Sequence, residues 1–573
     1  MTTERWIIDS ELTADLPIYT RMNASDVLAD PITPLGASLG WNPNILPGWA
    51  YGYVNGKTHT AAEMKHPASA GAFIYGHLYV NMTAARLVGV RAGLGVATVD
   101  SMWFGGRPDA PPHEARPSDE SPEISANMAE HTNWVLTATE FPEMDEEKEV
   151  AEHARATRPD LSRLSNWGLV ARARSMMPLE RYAWRGEVAG SSNGSVGPGV
   201  LASILPNADP SLVVRLVGSA GDVDSAAPSF ALWKLSRAVR ADAATTAAFD
   251  RGVDHVESSL TELPAFAALL ADFLHDFGSR GPNEWDLGSD SWETKPSLVL
   301  SLIDRLRHLD EDADPALRSA EQQRIAHAAL AEALAQLPEG DDATRGLFDM
   351  ALASARRFGN WRERGKTNCI KILHEARVPL VELGRRLAAE GHLESPHQVF
   401  MALDEELDTL CLDPASLTQV LAEREVAWRG LFGLDLPTFI DARRPVPELS
   451  SLHRLSEGTL APLTVGEVLQ GVGASSGVVE GRARVVFTTD EVGDLEPGEI
   501  LVAPNTDPSW TPLFMVAGGV VVDVGAMGSH AMIVSRELGI PCAASVPSAS
   551  RRIPNGALIS VDGSAGTVTV LAL

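Results

Sequence analysis

The stretch Pro504–Val546, PNTDPSWTPLFMVAGGVVVDVGAMGSHAMIVSRELGIPCAASV, decides how the C-terminal part of this chain is read. The apolar run Val520–Val524 predicts a strand, Gly525-Ala526-Met527-Gly528 a tight turn, and Ser529 to Leu538 a helix. That order suits anion chemistry. Small residues let the backbone approach a phosphate, and the unpaired N–H groups of a first helical turn point at it. Ser529 is placed to act as N-cap. The positive helix end disfavours an imidazolium, so His530 is expected to be neutral and nucleophilic, able to attack phosphorus and later to leave. A histidine after a glycine-rich turn is also commonly a cap or a packed side chain, and the residue types alone leave both readings open.

Around this block, short β-branched runs (GVVEGRARVVF, EILVAP, ALISVDG, GTVTVLAL) alternate with Gly, Pro and Asp turns, which predicts a compact α/β domain over 460–573. Before it, DARRPVPELSSLHRLSEG reads as a linker, residues 442–459. Between about Ser229 and Phe439, apolar residues recur three and four apart, as in LPAFAALLADFLHDF, and predict helices. The amino-terminal hundred or so residues mix Pro- and Gly-marked turns with one amphipathic run, YGHLYVNMTAARLVGVRAG. Residues 105–159 read as a long surface loop leading into a solvated acidic helix, and Val188–Val200, VAGSSNGSVGPGV, as a mobile loop. The expected fold class is thus multidomain α+β: a mainly helical domain over 1–441, the linker, and the small C-terminal domain.

At 573 residues several domains are expected, and a formal charge of −29 argues against nucleic-acid binding, which needs clustered Lys and Arg. No apolar stretch reaches the roughly 18 residues of a spanning helix, and the start MTTERWIIDSEL lacks the basic-then-apolar pattern of a leader. Cys369, Cys411 and Cys542 form neither a CxxC pair nor an even disulfide set, so a reduced cytoplasmic location is expected, with no membrane partner. The chain holds no Walker GxxxxGK[ST], HExxH or GxSxG motif, and no metal site is expected in it.

The run GAMGSHAMIVSRELGIP resembles the signature of the phosphohistidine swivelling domain in phosphoenolpyruvate-utilising enzymes, and GASSGVVEGRARVV and DPSWTPLF resemble that domain's opening strands and loop. The resemblance covers about Gly473 to the C-terminus. It implies a swivelling β/β/α domain, a phosphoryl group carried on His530, and for Arg536 a structural or phosphate-neutralising role. Ala526 stands where a second Gly is usual and Gly528 where Thr or Leu is common. Both are small, so the turn is expected to survive.

In FGSRGPNEWDLGSDSWETKP, the residues Arg280, Glu284, Asp286 and Trp292 crowd one Gly- and Pro-containing loop, whose plain reading is a solvated loop with an ion pair. In NWRERGKTNCIKIL, Arg362 and Lys366 are four apart and share a helix face. Neighbouring cations repel, so a shared anion is one reason for the pairing and solvent exposure the other. These pieces, with NASDVLADPITPLGASLGW and YGHLYVNMT at the amino end, resemble the acceptor-binding domain of rifampin phosphotransferase and related dikinase-like enzymes. The resemblance implies that Arg362 and Lys366 hold the transferred phosphoryl, that Arg280 assists, and that Glu284 or Asp286 orients or deprotonates an acceptor hydroxyl.

Relatives of this type usually begin with an ATP-grasp domain, whereas here the acceptor-like region starts within the first thirty residues; the phosphoenolpyruvate barrel is likewise not expected before Leu573. The expectation is therefore a split enzyme. A separate ATP-grasp subunit, using ATP and Mg2+, charges His530, and this chain passes the group to a small phenol or alcohol, as in phenylphosphate and other aryl-phosphate synthases. The alternatives are a rifampin-type alcohol phosphotransferase and a non-catalytic phosphocarrier.

Overall fold

The computed structural model describes residues 5–217, 227–454, 460–487, 495–506, 510–525 and 529–573. They sort into two units. The first comprises Met1–Asn193, Asn283–Ser289 and Trp361–Thr459, the second Gly194–Pro282, Asp290–Asn360 and Leu460–Leu573.

In the first unit, strands β1 (Ile18–Thr20), β2 (Gly71–Ile74), β3 (His77–Asn81) and β4 (Phe439–Asp441) form an antiparallel sheet in the order β2-β3-β1-β4. The β2–β3 hairpin closes through Tyr75 and Gly76, both at positive φ (54° and 74°), the geometry of a two-residue turn matched to strand twist. Residues of β1, β2 and β3 are buried on both sides. Met82–Arg91 packs on β1 and Ala24–Val27 on β3, and the same unit holds α1 (Asn166–Asn193) and the 361–389 part of α2 (Asp342–Ala389). A ten-residue π-helix, Gly36–Ile45, carries the buried Trp41.

The second unit holds an eight-stranded sheet of β5 (Val468–Gln470), β6 (Val472–Ser475), β7 (Val478–Val485), β8 (Ile500–Ala503), β9 (Gly519–Val522), β10 (Cys542–Ala544), β11 (Leu558–Asp562) and β12 (Thr567–Ala572). Its order is β5-β12-β11-β7-β8-β9-β10-β6. Strands β7, β8, β9 and β10 run parallel, and the flanking strands are antiparallel. Central β8 and β9, ILVA and GVVV, are buried throughout, which is why they read as unbroken apolar runs rather than alternations. Alternate residues serve two cores. Ile500, Val502 and Val521 join the cluster of Ile559, Val561 and Val568, whereas Leu501, Val520 and Val522 join one that includes helix α3 (His530–Leu538) and the buried side chains Leu232, Phe266 and Leu300.

Three readings of the sequence are corrected. Val188–Val200 is helical, the end of α1 followed by Val196–Ile204, and its glycines serve close approach. A Cβ on Gly190 would lie 3.0 Å from Arg362 Cα, and one on Gly197 would lie 2.6 Å from the Ala355 nitrogen. Within 105–159 the expected acidic helix is present as Pro142–Ala156, but a second helix, Pro122–Thr137, stands in the expected loop, capped by the Ser121 hydroxyl with Pro122 at its first position. The loop at 277–292 is not solvated, since Arg280, Glu284, Asp286 and Trp292 are all buried. The turn Ala526–Gly528 and the linker's end, 455–459, lie outside the described residues. Among those residues no helix is long and apolar enough to cross a membrane.

Candidate functional site

The expected site residues fall into two groups, one in each unit. His530, Ser529, Arg536 and Arg280 belong to the second unit, and Glu284, Asp286, Arg362 and Lys366 to the first.

His530 opens α3, as its sequence position requires, and is half-buried. Its Nδ1 lies 3.0 Å from the hydroxyl oxygen of Thr506, itself buried, and the Phe514 ring meets the imidazole edge-on at 5.7 Å. The ring's orientation is thus fixed through one nitrogen by a hydroxyl and across one face by an aromatic edge. Ser529 holds the N-cap position with extended backbone (φ −69°, ψ 155°), but its side chain makes no capping bond. That corrects the expected cap: the Ser529 hydroxyl is buried without a hydrogen-bond partner among the described residues. Arg536 sends Nε to the Ala474 carbonyl at 2.7 Å, fastening α3 to β6. Arg280 is buried in the loop after Pro264–Phe277, its carbonyl accepting from the Trp292 N–H at 2.7 Å.

In the first unit, α2 presents Arg362 and Lys366 on one face, as the four-residue spacing predicts. Lys366 Nζ lies 3.8 Å from Glu284 Oε1, and Arg362 Nε lies 3.9 Å from its chain neighbour Glu363. Both cations keep some exposure, 32% for Arg362 and 20% for Lys366, whereas Glu284 has 1%. Asp286 is spent on structure. Its carboxylate accepts from Thr33 N (3.0 Å), Thr33 Oγ1 (2.7 Å) and Gly288 N (3.2 Å). Burial raises its pKa, and the Thr33 bonds pull it back.

Two residues that hold this turn carried no clear sequence signal. Arg377, fully buried and about three turns beyond Lys366 on α2, donates Nη2 to the carbonyls of Glu284 (2.6 Å) and Asp286 (2.8 Å) and Nε to that of Leu287 (3.3 Å). Trp41 donates Nε1 to the Trp285 carbonyl at 2.9 Å. The Glu284 turn is therefore gripped through its backbone, so that its side chain faces Lys366 without adjustment. Among the described residues no cluster of three or more His, Cys, Asp or Glu side chains is arranged to hold a metal.

Residues 495–566 match the family model for the mobile domain of PEP-utilising enzymes, and residues 188–363 that for the fourth domain of rifampicin phosphotransferase. These two segments of the chain are thus similar to the PEP-utilising mobile domain and to the rifampicin phosphotransferase fourth domain. The mobile-domain match contains His530, and the fourth-domain match contains Glu284, Asp286 and Arg362. An uncharacterised protein of Mycobacterium tuberculosis is 30% identical over 348 residues, 60% of this chain and 36% of that protein. The rifampicin phosphotransferase of Streptomyces sviceus is 30% identical over 306 residues, 52% of this chain and 34% of its own. A prodigiosin synthesizing transferase of Serratia marcescens is 30% identical over 304 residues, 52% and 33% respectively. The chain spans about a third of the length of these curated relatives.

Proposed function

We propose that this chain is a phosphotransferase that carries a phosphoryl group on His530 and donates it to the hydroxyl of a small phenol or aromatic alcohol. The observation that carries the reading is the hydrogen bond between Thr506 and His530 Nδ1, which orients the imidazole whose Nε2 is assigned here to phosphorus. The unbonded Ser529 hydroxyl beside it is a donor suited to a phosphoryl oxygen. Arg362 and Lys366 receive the group in the acceptor step, where their charges balance the spread charge of the transferring PO3 unit. Glu284 holds Lys366 in place.

The domain over 460–573 swivels between a charging site and the acceptor site, parting as it moves from the helices whose Leu232, Phe266 and Leu300 share its core. A separate ATP-grasp subunit with ATP and Mg2+ does the charging in the cytoplasm. Arg280 and Arg536 then stand as supports of the two sites rather than as ligands of phosphate. A rifampicin-type acceptor is the second reading, favoured by the names of the relatives and by the fourth-domain match.

The test loads the full chain with labelled phosphoramidate, a chemical phosphoryl donor to histidine, and offers phenol, cresol and rifampicin. Label is expected on His530 and then on one of these acceptors, with His530→Ala taking none while keeping its helical circular dichroism. Unchanged labelling of that variant would defeat the mechanism.

A further inference from the structure

Helices α1 and α2 cross at two glycines: a Cβ on Gly365 would lie 3.1 Å from Glu187 Cα, and one on Gly190 would lie 3.0 Å from Arg362 Cα. This close approach sets the half-buried Glu187 on the inner side of the crossing, within the electrostatic reach of Arg362 and Lys366. Its carboxylate accepts one hydrogen bond, from Ser191 Oγ at 2.9 Å, and has no ion pair among the described residues. The two carboxylates expected from the sequence to do chemistry are each committed: Asp286 is consumed by Thr33 and Gly288, and the 1%-exposed Glu284 by Lys366.

We propose that Glu187 is the general base of the acceptor step, an assignment that rests on the roles given above to His530, Arg362 and Lys366. The acceptor oxygen bonds to phosphorus as the bond from phosphorus to the His530 nitrogen breaks, and that electron pair returns to the ring. The hydroxyl proton passes to the Glu187 carboxylate. With a proton already on Nδ1, beside Thr506, the imidazole leaves neutral, and charge balances.

The electrostatics agree. Burial raises the Glu187 pKa, Ser191, Arg362 and Lys366 draw it down, Glu363 pushes it up, and the net shift is upward. Tyr53 and Cys369 also feel its charge, as does Glu180 two turns earlier on α1. A carboxylate of raised proton affinity takes a hydroxyl proton more readily than an ordinary glutamate.

The full chain is loaded with labelled phosphoramidate, and transfer to phenol, cresol and rifampicin is timed across pH. Glu187→Gln is expected to load His530 like the wild type and to bind inorganic phosphate at least as tightly. Its transfer is expected to be about 100-fold slower, with the rising limb of the pH–rate profile gone, and Glu187→Asp is expected to recover part of the rate. Transfer by Glu187→Gln within about twofold of wild type, with the limb intact, would overturn the assignment while leaving the phosphotransferase reading in place. A wild-type protein that loads but passes label to none of the acceptors would overturn the acceptor reading and this inference with it.

Discussion

Lys366 Nζ stands 3.8 Å from Glu284 Oε1, joining the long helix α2 to the buried turn at 283–289. Removing one partner of such a pair strands the other, and a stranded buried carboxylate costs about 3–5 kcal/mol; here the partial exposure of Lys366 puts the expected loss near 2–3 kcal/mol. Lys366→Met is therefore expected to destabilise in urea titration. The double variant with Glu284→Gln is expected to regain most of that stability, because no charge is then left unpaired. Acceptor labelling should stay at least about 100-fold down in both, since the transferring group has lost a cation in each. Recovery of transfer together with stability would show that Lys366 serves only the fold.

Thr506 offers a sharper test at the other group. Its hydroxyl bonds Nδ1 of His530 at 3.0 Å, and one such bond is worth about 1 kcal/mol, or five- to tenfold in a rate. Thr506→Val keeps the shape and removes the oxygen. The phosphoramidate loading rate of His530 is expected to fall by about that factor with little change in melting temperature. A loading rate equal to wild type would mean that ring orientation does not limit the attack on phosphorus.

Arg377 should tolerate no substitute. One guanidinium spans three carbonyls of the 284–287 turn, a geometry that the single ammonium of Lys cannot reproduce. Arg377→Lys is expected to cost about 2–3 kcal/mol and to lower acceptor phosphorylation while leaving His530 loading unchanged. If chemical denaturation and transfer both match wild type, the backbone grip is not what places Glu284.

How far the sequence could be read follows from where each signal lives. Helix α3, its flanking strand β9 and the pairing of Arg362 with Lys366 are set by local periodicity and spacing, and were legible. The glycines of Val188–Val200 were misread because a glycine's local preference is for turns, whereas Gly190 is required by a neighbour, Arg362, far along the chain. With that segment taken as a loop, nothing in the sequence sets Glu187, just before it, beside the cations of α2. Arg377 was invisible for a related reason: its partners are backbone carbonyls, which carry no residue identity. Burial of Arg280, Glu284 and Asp286 was likewise hidden, because polar residues beside Gly and Pro look solvated until the tertiary partners Thr33 and Lys366 arrive.

Glu147 gives the first unit a pH dependence whose sign can be worked out. Its side chain has no exposure, Arg185 Nε lies 3.3 Å away, and burial outweighs that cation, so the carboxyl pKa is pushed up from 4.5 to about 8. A Cβ on Gly186 would fall within 1.9 Å of its Oε2, so the carboxyl has no room to turn toward water. The folded chain therefore keeps a proton that the unfolded chain releases near pH 4.5. This contribution to stability is complete below pH 4.5 and is lost as pH rises toward 8, by on the order of 2–4 kcal/mol once relaxation is allowed for. The raised pKa values of Glu180 and Glu187 add slopes of the same sign. Glu147→Gln is neutral at every pH and similar in shape. In urea titrations followed by tryptophan fluorescence from pH 5 to 8, it is expected to fall less steeply than wild type and to be the more stable protein at pH 8. Parallel curves for the two proteins would place the ionisation of Glu147 at its ordinary pH and remove this argument.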